Sequence, residues 1–250
     1  MEKNLGKPEQ TIQCQTIGHD KPEIYCQKCG EPIIFSFEQN GMIYSRYAPC
    51  KCKREESAKK KIDGLRKKGI TDHKYLEMRF ENDLGYNSEL MKRAMQYAND
   101  IVLGIEKNGL LLTGDVGTGK TFIAACVANR IIDSGKLAIV TSVLALLQLG
   151  FDEYPVVMQD IKKADLVVLD DIGAERATEF SQERAFDIID TRLVAKKPMV
   201  ITTNISPSQM AEAKSLKEKR IYDRILGSCY IVPVVGESIR KKERPGRLVW

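Results

Sequence analysis

Apolar residues fall along this chain in two rhythms. Short continuous runs have the length of buried strands: Leu110-Leu111-Leu112, Leu137 to Thr141, Leu166-Val167-Val168-Leu169, Pro198 to Asn204 and Tyr230 to Val235. Between them the spacing turns helical. Ser88 to Ala98 repeats apolar positions every three or four residues, with Ser88 as its expected cap. Phe122 to Ala128 opens another helix, and Val143 to Leu149 reads as a helix start. Ser181 to Leu193 carries Phe186, Ile189 and Leu193 on one face, and Leu216 to Leu226 is a basic helix. Strands alternating with helices predict an α/β fold, a parallel sheet flanked by helices on both faces. Such sheets bind ligands at the carboxyl ends of their strands.

The first part of the chain reads differently. Residues 1 to 20 are polar and without period, which predicts a loose arm. Ile33 to Phe37 and Met42 to Tyr47 are β-prone and flank Asn40-Gly41, a strong hairpin signal. A hairpin there brings Cys26 and Cys29 together with Cys50 and Cys52 at its open end. Four thiolates suit tetrahedral Zn²⁺, and a four-thiolate site is closed, hence structural. The Cys-x-Cys pair is tighter than the usual Cys-x-x-Cys, so Cys14 or His19 is an alternative for one of its members. Residues 53 to 70 are rich in Lys, Glu and Arg and predict a charged helix or linker.

Composition narrows the setting. A chain of 250 residues accommodates one sizeable core and a small module. No apolar run approaches the roughly 20 residues of a membrane span. The polar start, Met1 to Pro8, is no signal peptide, so a cytoplasmic protein without membrane partners is expected. In that setting the 7 cysteines are not read as disulfides, and Cys126 and Cys229 are expected in the core. The net charge of +5 permits nucleic-acid binding without requiring it. Basic residues cluster at Lys59 to Lys61, Arg66 to Lys68, Lys217 to Arg224 and Arg240 to Lys242.

The most specific chemistry lies between the first sheet strand and its helix. Gly114-Asp115-Val116-Gly117-Thr118-Gly119-Lys120-Thr121, followed by Phe122, has the spacing of a phosphate-binding P-loop. Its glycines let backbone N–H groups turn inward around a polyphosphate, and the next helix adds its positive end. Lys120 can reach β- and γ-phosphates, and the Thr121 hydroxyl can hold Mg²⁺. ATP-Mg²⁺ is the expected cofactor. Asp170 and Asp171 end an apolar strand, a Walker B arrangement in which Asp170 holds the metal and Asp171 orients or deprotonates water. Many enzymes of this type carry Glu at the second position, and the shorter Asp predicts slow or conditional hydrolysis. Asn204, ending the next strand, is the expected sensor of the γ-phosphate. Arg220 and Arg224, one helical turn apart, are candidates for completing a neighbouring subunit's site, which requires an oligomer.

Together these stretches resemble the DnaC/DnaI and IstB family of AAA+ ATPases. The resemblance is carried by Phe80-Glu81-Asn82, the P-loop, Leu169 to Arg176, Ile201 to Asn204, Arg220-Ile221-Tyr222-Asp223-Arg224-Ile225 and Gly236 to Arg240. It implies that Asn204 acts as sensor 1, Arg224 as a trans-acting arginine finger and Arg240 as a late, sensor-2-like arginine. It implies an AAA+ P-loop core without a C-terminal helical lid. It further implies a replicative helicase loader that binds a DnaB-type helicase through its N-terminal part and single-stranded DNA through its ATPase part, as an ATP-dependent homo-oligomer. Lys136, Arg176 and the 217–224 helix are the expected DNA contacts. The expected organisation is a zinc module over residues 1–56, a charged linker over 57–74 and the ATPase domain over 75–250. The alternative is an IstB-like transposition helper that binds duplex DNA.

Overall fold

The computed structural model describes residues 24–173 and 178–239. Cys14, His19, Arg176, Arg240, the 1–20 arm and the Arg240 to Lys242 cluster lie outside the described residues. The chain forms two compact units, with the boundary between Lys61 and Ile62.

The first unit is built on a hairpin of β1 (Ile34–Gln39) and β2 (Met42–Tyr47), paired antiparallel from Ile34↔Tyr47 to Gln39↔Met42. Its two turn residues, Asn40 at φ 54° and Gly41 at φ 74°, both take the left-handed conformation that a tight hairpin turn needs. A helix, α1 (Lys51–Gly69), begins directly after the hairpin and runs through the unit boundary. The stretch expected as a charged helix or linker is therefore helical along almost its whole length.

The second unit is a five-stranded sheet in the order β4-β5-β6-β3-β7. These are β3 (Gly109–Thr113), β4 (Ala138–Ser142), β5 (Leu166–Ile172), β6 (Met199–Thr203) and β7 (Cys229–Pro233). Every pairing in it is parallel. The helices are α2 (Ser88–Leu103), α3 (Lys120–Asp133), α4 (Val143–Leu147), α5 (Glu153–Lys163), α6 (Glu179–Val194), α7 (Pro207–Ala211) and α8 (Leu216–Ser228).

Period-2 alternation explains why the strands read as continuous apolar runs. Leu110, Leu112, Leu166 and Val168 face one core with α2 and α3, while Leu111, Val167 and Leu169 face a second core with α4, α6 and α8. Both faces are covered, so both parities must be apolar. Arg192 of α6 is fully buried between strand connections and donates to the carbonyls of Ile161, Ala164 and Pro198 at 2.7, 2.8 and 2.6 Å.

Two details differ from expectation. Ser88 does not cap α2: its hydroxyl donates to the Gly85 carbonyl at 3.1 Å, and Asn87 occupies the cap position without a side-chain capping bond to the helix. The last strand starts one residue earlier and stops at Pro233, because the chain then leaves the edge of β3 and turns over the P-loop, where Ile239 N–H donates to the Gly117 carbonyl at 2.9 Å.

Candidate functional site: a phosphate loop facing two carboxylates

β3 lies where the strand order reverses, between β6 and β7, and its carboxyl end runs into the phosphate loop. Gly119 sits just before α3 at φ 100°, a conformation that strains any residue with a Cβ. Adding a Cβ to Gly117, at φ 85°, would put it 2.2 Å from Ser238 Oγ. The loop is thus shaped by glycine and closed from above by the 236–239 segment. Thr118 Oγ1 donates to the Asp115 carbonyl at 2.9 Å.

Lys120 is nearly buried, and its ammonium donates to the Gly114 and Asp115 carbonyls at 2.8 and 2.7 Å. It also donates to Asn204 Oδ1 at 2.8 Å. The Asn204 amide is thereby oriented, and its Nδ2 donates to Asp171 Oδ1 at 3.3 Å. Lys120, Asn204 and Asp171 form one hydrogen-bonded line across the ends of three elements.

The two carboxylates share the site because β5 is bulged. Leu169 pairs with Ile201 and Ile172 with Thr203, so Asp170 and Asp171 together oppose Thr202 alone. Asp171 takes φ 59° there, and both aspartates line the same cleft rather than opposite faces of the sheet. Thr202 holds the bulge: its hydroxyl accepts from Asp171 N–H at 2.8 Å and donates to Asp170 Oδ1 at 2.7 Å. Thr121 Oγ1 donates to the same oxygen at 2.9 Å, and Tyr75 Oη donates to Asp170 Oδ2 at 3.0 Å. Asp170 is buried and accepts hydrogen bonds from three hydroxyls, which aim its carboxylate. Burial, then the charge of Asp170, push the Tyr75 phenol up to about 12, so it stays a donor.

The cleft measures about 530 Å³, the size of a small-molecule site. Its far wall comes from the segment before α2 and from the start of α2. Met78, Leu84, Tyr86 and Met91 line it with apolar surface, and Asn87 Nδ2 ties that wall to the Thr118 carbonyl at 3.3 Å. A flat aromatic group fits such a wall while its charged end meets Lys120 and Thr121. Thr202 figured only within the Ile201 to Asn204 stretch, and Tyr75 and this wall were not among the residues expected from sequence. Phe80-Glu81-Asn82 was, and Asn82 lines the cleft.

Other expected residues lie elsewhere. Arg224 does not line the cleft. Its Nη2 pairs with Asp190 Oδ1 of α6 at 2.9 Å, and its guanidinium stacks 4.4 Å over the Phe186 ring. Arg220 is exposed on α8. In the first unit, Cys26, Cys29, Cys50 and Cys52 gather with their sulfurs all within 4.8 Å of one another. A tetrahedral zinc–thiolate site, with Zn–S near roughly 2.3 Å, needs sulfurs about that close. The tight Cys-x-Cys spacing works because Cys50 immediately precedes α1 and Cys52 lies in its first turn. Backbone N–H groups of Glu31 and Cys52 lower the Cys29 thiol to about 6, while its hydrogen bond to Cys29 raises Cys52 to about 12. Four thiols gathered this closely are a donor set that suits a soft divalent cation.

A parallel sheet with a Gly-Lys-Thr loop at its switch point, two strand-end aspartates and a strand-end asparagine define a P-loop nucleoside triphosphatase with an AAA+ core. The chain belongs to the family of IstB-like ATP binding proteins, whose model matches residues 51–246. The replicative helicase loader DnaC of Escherichia coli strain K12 is 26% identical over 251 residues, covering 96% of this chain and 97% of that protein. The replicative helicase loader DnaI of Bacillus subtilis strain 168 is 26% identical over 265 residues, covering 96% of this chain and 84% of that protein. A crystal structure of DnaI superposes with a TM-score of 0.54 at 24% identity over 68% of this chain and 94% of that one, a likeness of fold. No helix among the described residues is long and apolar enough to cross a membrane.

Proposed function

We propose that this chain is an ATP-controlled loader of a replicative helicase. The observation that carries the reading is the nearly full-length match to two proteins named as such loaders. The cleft supplies chemistry to suit it. In this reading the backbone N–H groups of residues 114–121 and the Lys120 ammonium hold the triphosphate, with Phe122 behind them. The apolar wall at Met78, Leu84 and Tyr86 takes the adenine. Thr121 and Asp170 hold magnesium, which when bound neutralises charge on the phosphate oxygens. Asp171 accepts the proton of the attacking water, and Asn204 links that carboxylate to Lys120 and the γ-phosphate. Arg224 acts on the site of a neighbouring copy in an ATP-dependent homo-oligomer, leaving Asp190 to do so, and Arg240 acts late in the chain on the bound phosphates. The four-cysteine module, residues 1–56, holds zinc and grips a DnaB-type helicase. Residues 57–74 link it to the ATPase domain, residues 75–250, which binds single-stranded DNA.

Asp171→Asn separates binding from turnover. The amide keeps the side chain's size and tolerates positive φ, but it cannot take a proton. Hydrolysis is expected to fall about 100-fold while ATP affinity stays within about twofold, which is the loss typical of removing a general base. Steady-state phosphate release and equilibrium ATP binding check the pair. Unchanged hydrolysis removes Asp171 from the role.

A further inference from the structure

Asp170 is held at both of its oxygens by three hydroxyls, and two of those donors are anchored to one helix. Oδ1 accepts from Thr202 of β6 and from Thr121, in the first turn of α3. Oδ2 accepts from Tyr75, a residue 95 positions away that is buried to 5% exposure. Tyr75 is itself held by α3. Asn129, buried to 1% exposure, donates its amide to the Tyr75 carbonyl at 2.8 Å and to the Met78 carbonyl at 3.0 Å. Arg66 and Arg79 both pair with Asp133 at the end of the same helix, Arg79 at 2.7 Å, and clamp the segment on either side. The result is a closed ring of contacts: α3 through Asn129 to Tyr75, to Asp170, to Thr121 and back to α3.

A carboxylate bonded at only one oxygen can rotate about its last torsion, a soft twofold rotor. Bonding the second oxygen to a rigid phenol removes that freedom. We propose that Tyr75 is a positioning residue that fixes the rotation of the Asp170 carboxylate toward the magnesium ion of the nucleotide. The proposal rests on the reading of Asp170 as the magnesium carboxylate and extends it to a residue that touches neither metal nor phosphate. Partners of this outer kind orient metal ligands, and their loss weakens metal affinity by about 10- to 100-fold. The same contact ties the apolar wall of the cleft to the metal end, because Tyr75 and Met78 hang from one asparagine.

Tyr75→Phe removes the hydroxyl and keeps the ring in its buried place. Magnesium is titrated into the full chain with a fluorescent ATP analogue, and the same analogue is titrated in EDTA. The half-saturating magnesium concentration is expected to rise about tenfold, at the low end of outer-partner effects. Affinity in EDTA is expected to stay within about twofold, since the Tyr75 hydroxyl bonds Asp170 and not the phosphate loop. Direct Mn²⁺ binding with ADP present, read by electron paramagnetic resonance, should show the same shift without turnover. A purely structural role lowers affinity equally with and without metal. That outcome, or a magnesium titration superimposable on the wild type, overturns the positioning role while leaving the ATP reading intact. A wild-type chain that binds no nucleotide at any magnesium concentration overturns both.

Discussion

Lys120→Ala is expected to abolish nucleotide binding, with Mg-ATP affinity at least about 100-fold weaker and hydrolysis at background. The ammonium is the one cation in the loop, and it lies at 2.7 to 2.8 Å from Gly114, Asp115 and Asn204 oxygens. A single charge-assisted hydrogen bond contributes about 1.5–3 kcal/mol, and each 1.4 kcal/mol is a factor of ten. Two such bonds to β- and γ-oxygens therefore account for 100-fold or more. The fold itself should survive, because Gly114 is only half-buried and Asp115 is exposed, so water can replace the ammonium at their carbonyls. Isothermal titration with Mg-ATP, beside a urea unfolding curve, checks both halves. Retained affinity with a normal unfolding midpoint would place the phosphates somewhere other than this loop.

The second large effect concerns the cysteine cluster. One equivalent of zinc per chain is expected, and Cys26→Ser should lower it to near zero. A hairpin of two six-residue strands has little core, so metal ligation supplies most of the module's stability. Chelation should unfold the module, read as fast amide exchange across Ile34 to Tyr47. It should leave nucleotide binding unchanged, since the phosphate loop belongs to the other compact unit. Elemental analysis and hydrogen exchange before and after chelation decide it. A module that stays protected without metal contradicts the zinc assignment.

Much of this architecture was legible in the sequence because its signals are local. Glycine spacing sets the phosphate loop, an Asn-Gly pair sets the hairpin turn, and two-sided burial turns strands into unbroken apolar runs. Helix α7 was missed: Ser206 and Gln209 cap each other around Pro207, but its apolar stripe is too short to register. Helix α5 was missed for a related reason: Pro155 sits in its first turn and only Ile161 is fully buried. What spacing could not convey was the bulge. Consecutive aspartates on a regular strand would point to opposite faces. The extra residue opposite Thr202 and the positive φ at Asp171 put both in one cleft. Nor could it convey Tyr75, whose partner lies on a strand reached only after the segment before α2 has folded back along α3. Arg224 was visible as a basic residue on a helix, but its pairing with Asp190 depends on how α8 packs against α6.

The most direct test of the loader reading is capture of a DnaB-type replicative helicase by the intact, zinc-loaded chain, in ATP and in ADP, with single-stranded and duplex DNA present at one salt concentration. The account predicts that the helicase is retained, that Cys26→Ser loses it while keeping ATP, and that ATP rather than ADP brings single-stranded DNA into the complex. Retention of duplex DNA without helicase would contradict the account and favour a transposition helper, leaving the cleft's ATP chemistry in place.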